Sequence, residues 1–300
     1  MLATAALRAK TADLDLVIRH VLAGLGHGLH IGRERGAGVE FSEYRAYAPG
    51  DEWRRVDWKL LARADRYYVR EAERDSHVAV WLLLDASASM AEPSHRLPGV
   101  DKLGYARAVL ACVAAIAQRQ GDAFGLLVAG GDRMTFTPAS RGPRQMHRVL
   151  AQLQRTQAGG GLPDATAVRA SLHFARAPSL VFAVSDGLDW PSPWSEALLR
   201  LRAMQHDVRL LCLQTEAEAQ GRFAAGTGYR DPEAAAANGA AAGLHRYDAS
   251  AQAGYCAARQ AHFDAVKTDC RQRDLPLHIA SIEDAVVGVL RAWLRRAGRA

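Results

Sequence analysis

Val78-Ala79-Val80-Trp81-Leu82-Leu83-Leu84-Asp85-Ala86-Ser87-Ala88-Ser89-Met90 decides the fold of this chain. A fully apolar run, 78–84, ends in one carboxylate, and two hydroxyls follow it at spacings of two and four residues. A continuous apolar run reads as a strand buried on both faces, the signature of a parallel sheet. The Asp-x-Ser-x-Ser tail then falls at the C-terminal end of that strand, where open α/β sheets place their ligands. One acid and two hydroxyls on a tight turn form an oxygen-only cradle, which suits a hard divalent cation such as Mg²⁺ or Mn²⁺.

Outward from residue 78 the pattern alternates strand and helix. Strands are expected at 78–84, 124–128, 180–184, 208–213 and 277–280, with a short edge strand at 134–137. Helices are expected at 103–118, 144–154, 164–175, 192–204, 255–273 and 282–296. Repeated βα units predict an α/β fold: a doubly wound, mainly parallel sheet with helices on both faces. The stretch 216–251, rich in alanine and glycine, breaks the rhythm and reads as a loop excursion, either a local hairpin or a mobile insertion. Upstream, Leu14, Val17, Ile18, Val21 and Leu22 can share one helix face within 2–25, and Gly24, Gly26 and Gly28 stop that helix. Tyr67-Tyr68-Val69-Arg70-Glu71 enters a strand. The expected organisation is an N-terminal segment, 1–75, packed on a main domain, 76–300.

Three hundred residues, 49% hydrophobic and 23% charged, are ordinary for a globular chain with a sizeable core. No apolar run reaches the length of a membrane span. Arg8, Lys10, Asp13 and Asp15 interrupt the N-terminal apolar residues, so no signal-peptide layout is visible and a cytoplasmic location is expected. Cys112, Cys212, Cys256 and Cys270 have no paired spacing, which argues against a zinc site and a disulfide framework. The formal charge of +6 invites a nucleic-acid partner. Its distribution argues against one, because 33–74 interleaves ten Arg/Lys with nine Asp/Glu rather than concentrating one sign.

A second apolar strand, Val181-Phe182-Ala183-Val184, ends in Ser185-Asp186-Gly187. If the two strands are neighbours, Asp85 and Asp186 face one crevice. Between them runs a glycine loop, Gly159-Gly160-Gly161-Leu162-Pro163-Asp164. These three elements resemble the von Willebrand factor A fold with its metal-ion-dependent adhesion site. The resemblance implies that Asp85, Ser87, Ser89 and Asp186 hold the metal, with the serines touching it and the aspartates often acting through water. A partner's carboxylate completes the octahedron. Where that family carries a threonine, this chain has Gly161, which lacks a side-chain oxygen; either Asp164 or Thr166, at the start of the next helix, compensates, or water fills the position and the affinity is weaker.

Further upstream, Gly38-Val39-Glu40-Phe41, Arg45-Ala46-Tyr47-Ala48-Pro49-Gly50-Asp51, Arg54-Arg55-Val56-Asp57-Trp58 and Ala62-Arg63 follow one another. This run resembles the signature of the bacterial domain-of-unknown-function 58 (DUF58) family, and the likeness extends over about 28–190. It implies work beside a MoxR-type AAA+ ATPase in assembling or activating other proteins. Arg45, Asp51, Arg55, Asp57 and Arg63 read either as a partner surface or as an ion-pair lattice holding this segment to the sheet; arginine's capacity to pair bidentately with aspartate and to stack on aromatics such as Trp53 or Trp58 favours the lattice.

Enzyme readings find little support. An aspartate-nucleophile hydrolase needs a second carboxylate two residues after the first, and that position is Ser87. No Gly-x-Ser-x-Gly elbow or Walker loop occurs. The expected function is a non-enzymatic protein-interaction module with a divalent-metal adhesion-type site. A metal-dependent hydrolase using the same cluster and a metal-free scaffold remain as alternatives.

Overall fold

The structure is a computed structural model of the chain, and it describes residues 14–25, 44–46, 60, 67–70, 79–131, 133–171, 178–224, 226, 228–229, 233 and 245–294. Residues 1–31 and 78–300 form one compact unit and 32–77 a second. Most of the 38–63 signature, including Asp51, Arg55, Asp57 and Arg63, lies outside the described residues. Within the second unit, β1 (Tyr44–Ala46) pairs antiparallel with β2 (Tyr68–Arg70), Tyr44 opposite Arg70.

The main unit begins with α1 (Leu14–Leu25) and enters its sheet at β3 (Val80–Asp85). There follow α2 (Lys102–Arg119), β4 (Phe124–Gly130), β5 (Arg133–Ser140), α3 (Pro143–Arg155), α4 (Ala165–Ser171) and β6 (Leu180–Ser185). The chain continues through α5 (Pro193–Ala203), β7 (Asp207–Gln214), α6 (Glu216–Gln220), β8 (Gly228–Tyr229) and β9 (His245–Arg246), then α7 (Ala249–Gln272), β10 (Leu277–Ser281) and α8 (Val286–Leu294).

The six-stranded sheet runs β10-β7-β6-β3-β4-β5, parallel throughout except for β5. Read from the β5 edge and counted along the chain, its strands lie third, second, first, fourth, fifth, sixth, the order of a doubly wound sheet built from two halves. The expected α/β architecture is therefore present. Side chains alternate across a strand, and the core divides accordingly. Val80, Leu82 and Leu84 join α1, α2, α3 and α8 on one face. Trp81 and Leu83 join Trp194, Leu198 and Leu201 of α5 and Phe263, Val266 and Cys270 of α7 on the other. Each fully buried leucine contributes about 1.5–3 kcal/mol, so this one strand anchors both layers. α1 belongs to the main core, with Leu14, Val17, Ile18 and Val21 all buried there.

Several element bounds differ from the periodicity for local reasons. β5 is longer than expected and mostly exposed; as an edge strand it tolerates Pro138, which a central strand would not. α7 starts at Ala249 rather than 255, because Asp248 caps it by accepting a hydrogen bond from Ala251 N at 2.8 Å. Its first turns carry no apolar periodicity to announce them. α8 starts at Val286 rather than 282, since the preceding turn holds the buried Glu283 against Ser94 and Ser281. The excursion after β7 contains α6, opened by a Thr215–Glu218 capping box, and the antiparallel β8–β9 pair. All four cysteines are free thiols. Among the described residues no helix is long and apolar enough to cross a membrane.

Candidate metal centre

β3 and β6 are hydrogen-bonded neighbours, Leu84 opposite Val184, and the sheet's connections leave them in opposite directions. Their C-terminal ends border the crevice where such sheets bind ligands. Asp85 is the last residue of β3, and Asp186 follows the last residue of β6. Both carboxylates are buried, at 1% and 3% exposure.

Asp85 Oδ1 accepts a hydrogen bond from Ser87 N at 2.8 Å, which folds the Asp-x-Ser turn back on itself. Asp85 Oδ2 accepts one from Ser185 Oγ at 2.7 Å, joining the two strand ends. Ser87 Oγ and Ser89 Oγ lie 3.1 Å apart in a mutual hydrogen bond. Burial, and then the charge of Asp186, push the Asp85 carboxyl up to about 7, against the hydrogen bonds from Ser185 and Ser87. A bound cation would counter both effects.

The glycine loop reaches the same place. Gly159 N donates to Ala86 O at 3.0 Å, and Ala88 N donates to Gly160 O at 2.8 Å. These backbone bonds join the glycine loop to the Asp85–Ser89 turn, and the Ser185–Asp85 bond joins that turn to the end of β6. A β-carbon built at Gly161 meets nothing within 4 Å, so the position is open. Asp164 is exposed, and its Oδ1 accepts from Thr166 N and Ala167 N, both at 2.8 Å. It caps α4, with the exposed Thr166 as one of the capped donors, and these bonds serve the helix start. The structure thus gathers Asp85, Ser87, Ser89 and Asp186, and engages Asp164 Oδ1 and Thr166 N in the cap of α4.

The donor set suits a small hard cation: two adjacent hydroxyls, a carboxylate behind them and a second across the crevice. Among the described residues no group of three or more His, Cys, Asp or Glu could hold a metal. Any ion here would therefore depend on serine hydroxyls and on water.

The residue that sequence reasoning missed is Lys102. Its side chain is 1% exposed, with Nζ 2.8 Å from Asp186 Oδ2 and 2.9 Å from Glu218 Oε1. Glu218 Oε2 in turn accepts from Thr215 N at 2.7 Å. Burial works against the Lys102 ammonium, but Asp186 and then Glu218 outweigh it and hold its pKa above the ordinary value. One signal was available. Residues 103–106 and 108–117 of α2 are buried, and their apolar character is plain in the sequence. A lysine opening a helix so largely buried is a candidate to be drawn in with it, and a buried ammonium needs carboxylates to compensate it.

A profile of the family "Protein of unknown function DUF58" matches residues 43–241. Two curated relatives are the uncharacterized protein Rv1480 of Mycobacterium tuberculosis (strain ATCC 25618 / H37Rv) and the uncharacterized protein Mb1516 of Mycobacterium bovis (strain ATCC BAA-935 / AF2122/97). Each is 33% identical over 205 residues, 67% of this chain. The match spans 63% of the length of those relatives. Solved structures with a similar course of chain include BatB of Bacteroides thetaiotaomicron, at 13% identity, TM-score 0.44, covering 72% of this chain and 98% of that one. Another is the SpRpn10 VWA domain, at 11% identity, TM-score 0.38, covering 71% and 93%. Because the profile match takes in both strand ends, the glycine loop and the upstream hairpin, the chain belongs to the DUF58 family.

Proposed function

We propose that this chain is a non-enzymatic protein-interaction module whose crevice takes Mg²⁺ or Mn²⁺ and, through it, a carboxylate of a partner. The observation that carries the reading is the meeting of Asp85, Ser87 and Ser89 with Asp186 at the switch point of the sheet, beside the glycine loop. Hard oxygen donors around an open position favour a cation that keeps exchangeable sites. Leu188, two residues beyond Asp186 and 42% exposed, supplies an apolar contact at the rim. The partner implied by the family resemblance is a MoxR-type AAA+ ATPase acting on a client protein in the cytoplasm.

The test is retention of the purified AAA+ ATPase by this protein. Binding is expected in millimolar Mg²⁺ and lost both in EDTA and in Asp85→Ala. Equal retention under all three conditions would refute metal bridging and leave a metal-free scaffold. Turnover of a phosphate ester that Asp85→Ala abolishes would instead establish the hydrolase.

The open space at Gly161 gives a second test. Gly161→Thr adds a hydroxyl where nothing obstructs a β-carbon. Mn²⁺ affinity by calorimetry is expected to rise by about tenfold, equivalent to ~1.4 kcal/mol. An unchanged affinity would mean that this position does not face the ion.

A further inference from the structure

The crevice already contains a cation, the ammonium of Lys102. It enters from the first turn of α2 and bonds Asp186, beyond β6, and Glu218, on the helix beyond β7. One nitrogen therefore ties three strand-to-helix connections of the sheet. Nothing in a simple packing role explains a charged group at this depth. A helix N-terminus disfavours a positive side chain, and burying an ammonium is costly unless carboxylates compensate it. The carboxylates that compensate it include one the metal reading requires.

We propose that Lys102 is a resident counter-cation that sets the crevice's affinity for divalent ions by holding Asp186 in an ion pair. The inference rests on the metal reading above and concerns the control of that site. A divalent ion entering near Asp186 must share its carboxylate with a positive charge 2.8 Å from Oδ2. With lysine present, the triad keeps one formal negative charge for the ion; without it, two remain. Lys102 thus keeps the ion-free crevice folded and lowers the affinity of the loaded one. It is a positioning residue, acting on the ion through Asp186. Glu218 moderates it by drawing part of its hydrogen bonding away from Asp186.

Two variants should shift Mn²⁺ affinity in opposite directions. Lys102→Met, measured by calorimetry and by the electron paramagnetic resonance of free Mn²⁺, is expected to bind about tenfold tighter than wild type. Its melting temperature should be lower in EDTA and rise more on adding Mn²⁺. Glu218→Gln is expected to bind more weakly, since it removes a negative charge and leaves Lys102 to Asp186 alone. A merely structural lysine would lower the melting temperature without tightening Mn²⁺. Equal or weaker binding by Lys102→Met, while wild type or Gly161→Thr binds, would overturn the role of Lys102 and spare the metal reading. No binding by wild type, Lys102→Met and Gly161→Thr would overturn both. If Lys102→Met does not fold, Lys102→Met with Glu218→Gln restores the charge balance; it is expected to bind more tightly than Glu218→Gln alone, and failure to do so is equally decisive against the proposal.

Discussion

Asp186→Ala loses about 3–5 kcal/mol of folding stability in EDTA, and Asp85→Ala only about 1–3 kcal/mol. Both carboxylates end apolar strands and both are buried, so burial alone predicts equal effects. Their partners differ. Removing Asp186 strips Lys102 of one of its two carboxylates in a site where its side chain is 1% exposed, and orphans Leu188 N as well. Breaking a buried pair by deleting one member leaves an uncompensated charge, the costliest outcome. Removing Asp85 leaves only neutral donors behind, Ser87 N and the hydroxyls of Ser185 and Ser87. The hydroxyls can reorient, and a carboxyl already pushed up to about 7 by burial and Asp186 is itself a poorly solvated group to lose. Urea titrations of both variants at one pH, with EDTA present, measure the difference. The reverse order would mean that Lys102 does not depend on Asp186.

That asymmetry marks the boundary of what the sequence discloses. The strands around Asp85 and Asp186 were legible because parallel strands buried on both faces are apolar without interruption. Their adjacency was only a condition in the sequence, because β4 and β5 lie between them along the chain and the crossover to β6 decides it. Lys102 and Glu218 were not legible as partners. Lys102 stands 84 residues along the chain from Asp186 and 116 from Glu218, and only the order of the sheet brings the three together. Asp164 was ambiguous for a different reason. A side-chain oxygen at the start of a helix serves equally as a cap or as a ligand, and here Oδ1 accepts the local hydrogen bonds from Thr166 N and Ala167 N that make it a cap. The start of α7 was hidden likewise, since a cap at Asp248 extends a helix without any apolar stripe.

The crevice also depends on glycines that the chemistry does not mention, and substitution should separate them sharply. A β-carbon at Gly130 would lie 2.4 Å from Ala86 O and 2.7 Å from its carbonyl carbon, directly behind the Asp85–Ser89 turn. Backbone cannot swing aside as a side chain can, so Gly130→Ala is expected to cost about 1–3 kcal/mol and displace the turn. Gly160 has φ +62°, and its β-carbon would lie 2.7 Å from Gly131 Cα. Left-handed backbone alone costs a non-glycine residue about 1–2 kcal/mol, and the overlap adds to it. The loop could relieve both only by loosening the Ala88 N to Gly160 O bond that holds it against the site. Gly161→Ala, one residue on, meets open space and should fall within about 0.5 kcal/mol of wild type. Chemical unfolding of the three alanine variants gives the ranking, and Mn²⁺ calorimetry on the same samples gives its consequence. Gly130→Ala and Gly160→Ala should lose stability and ion binding together, because the backbone contacts that stabilise the loops also hold Ser87 and Ser89 in register. If either variant kept wild-type stability and affinity, the close packing of these loops would not be what shapes the crevice.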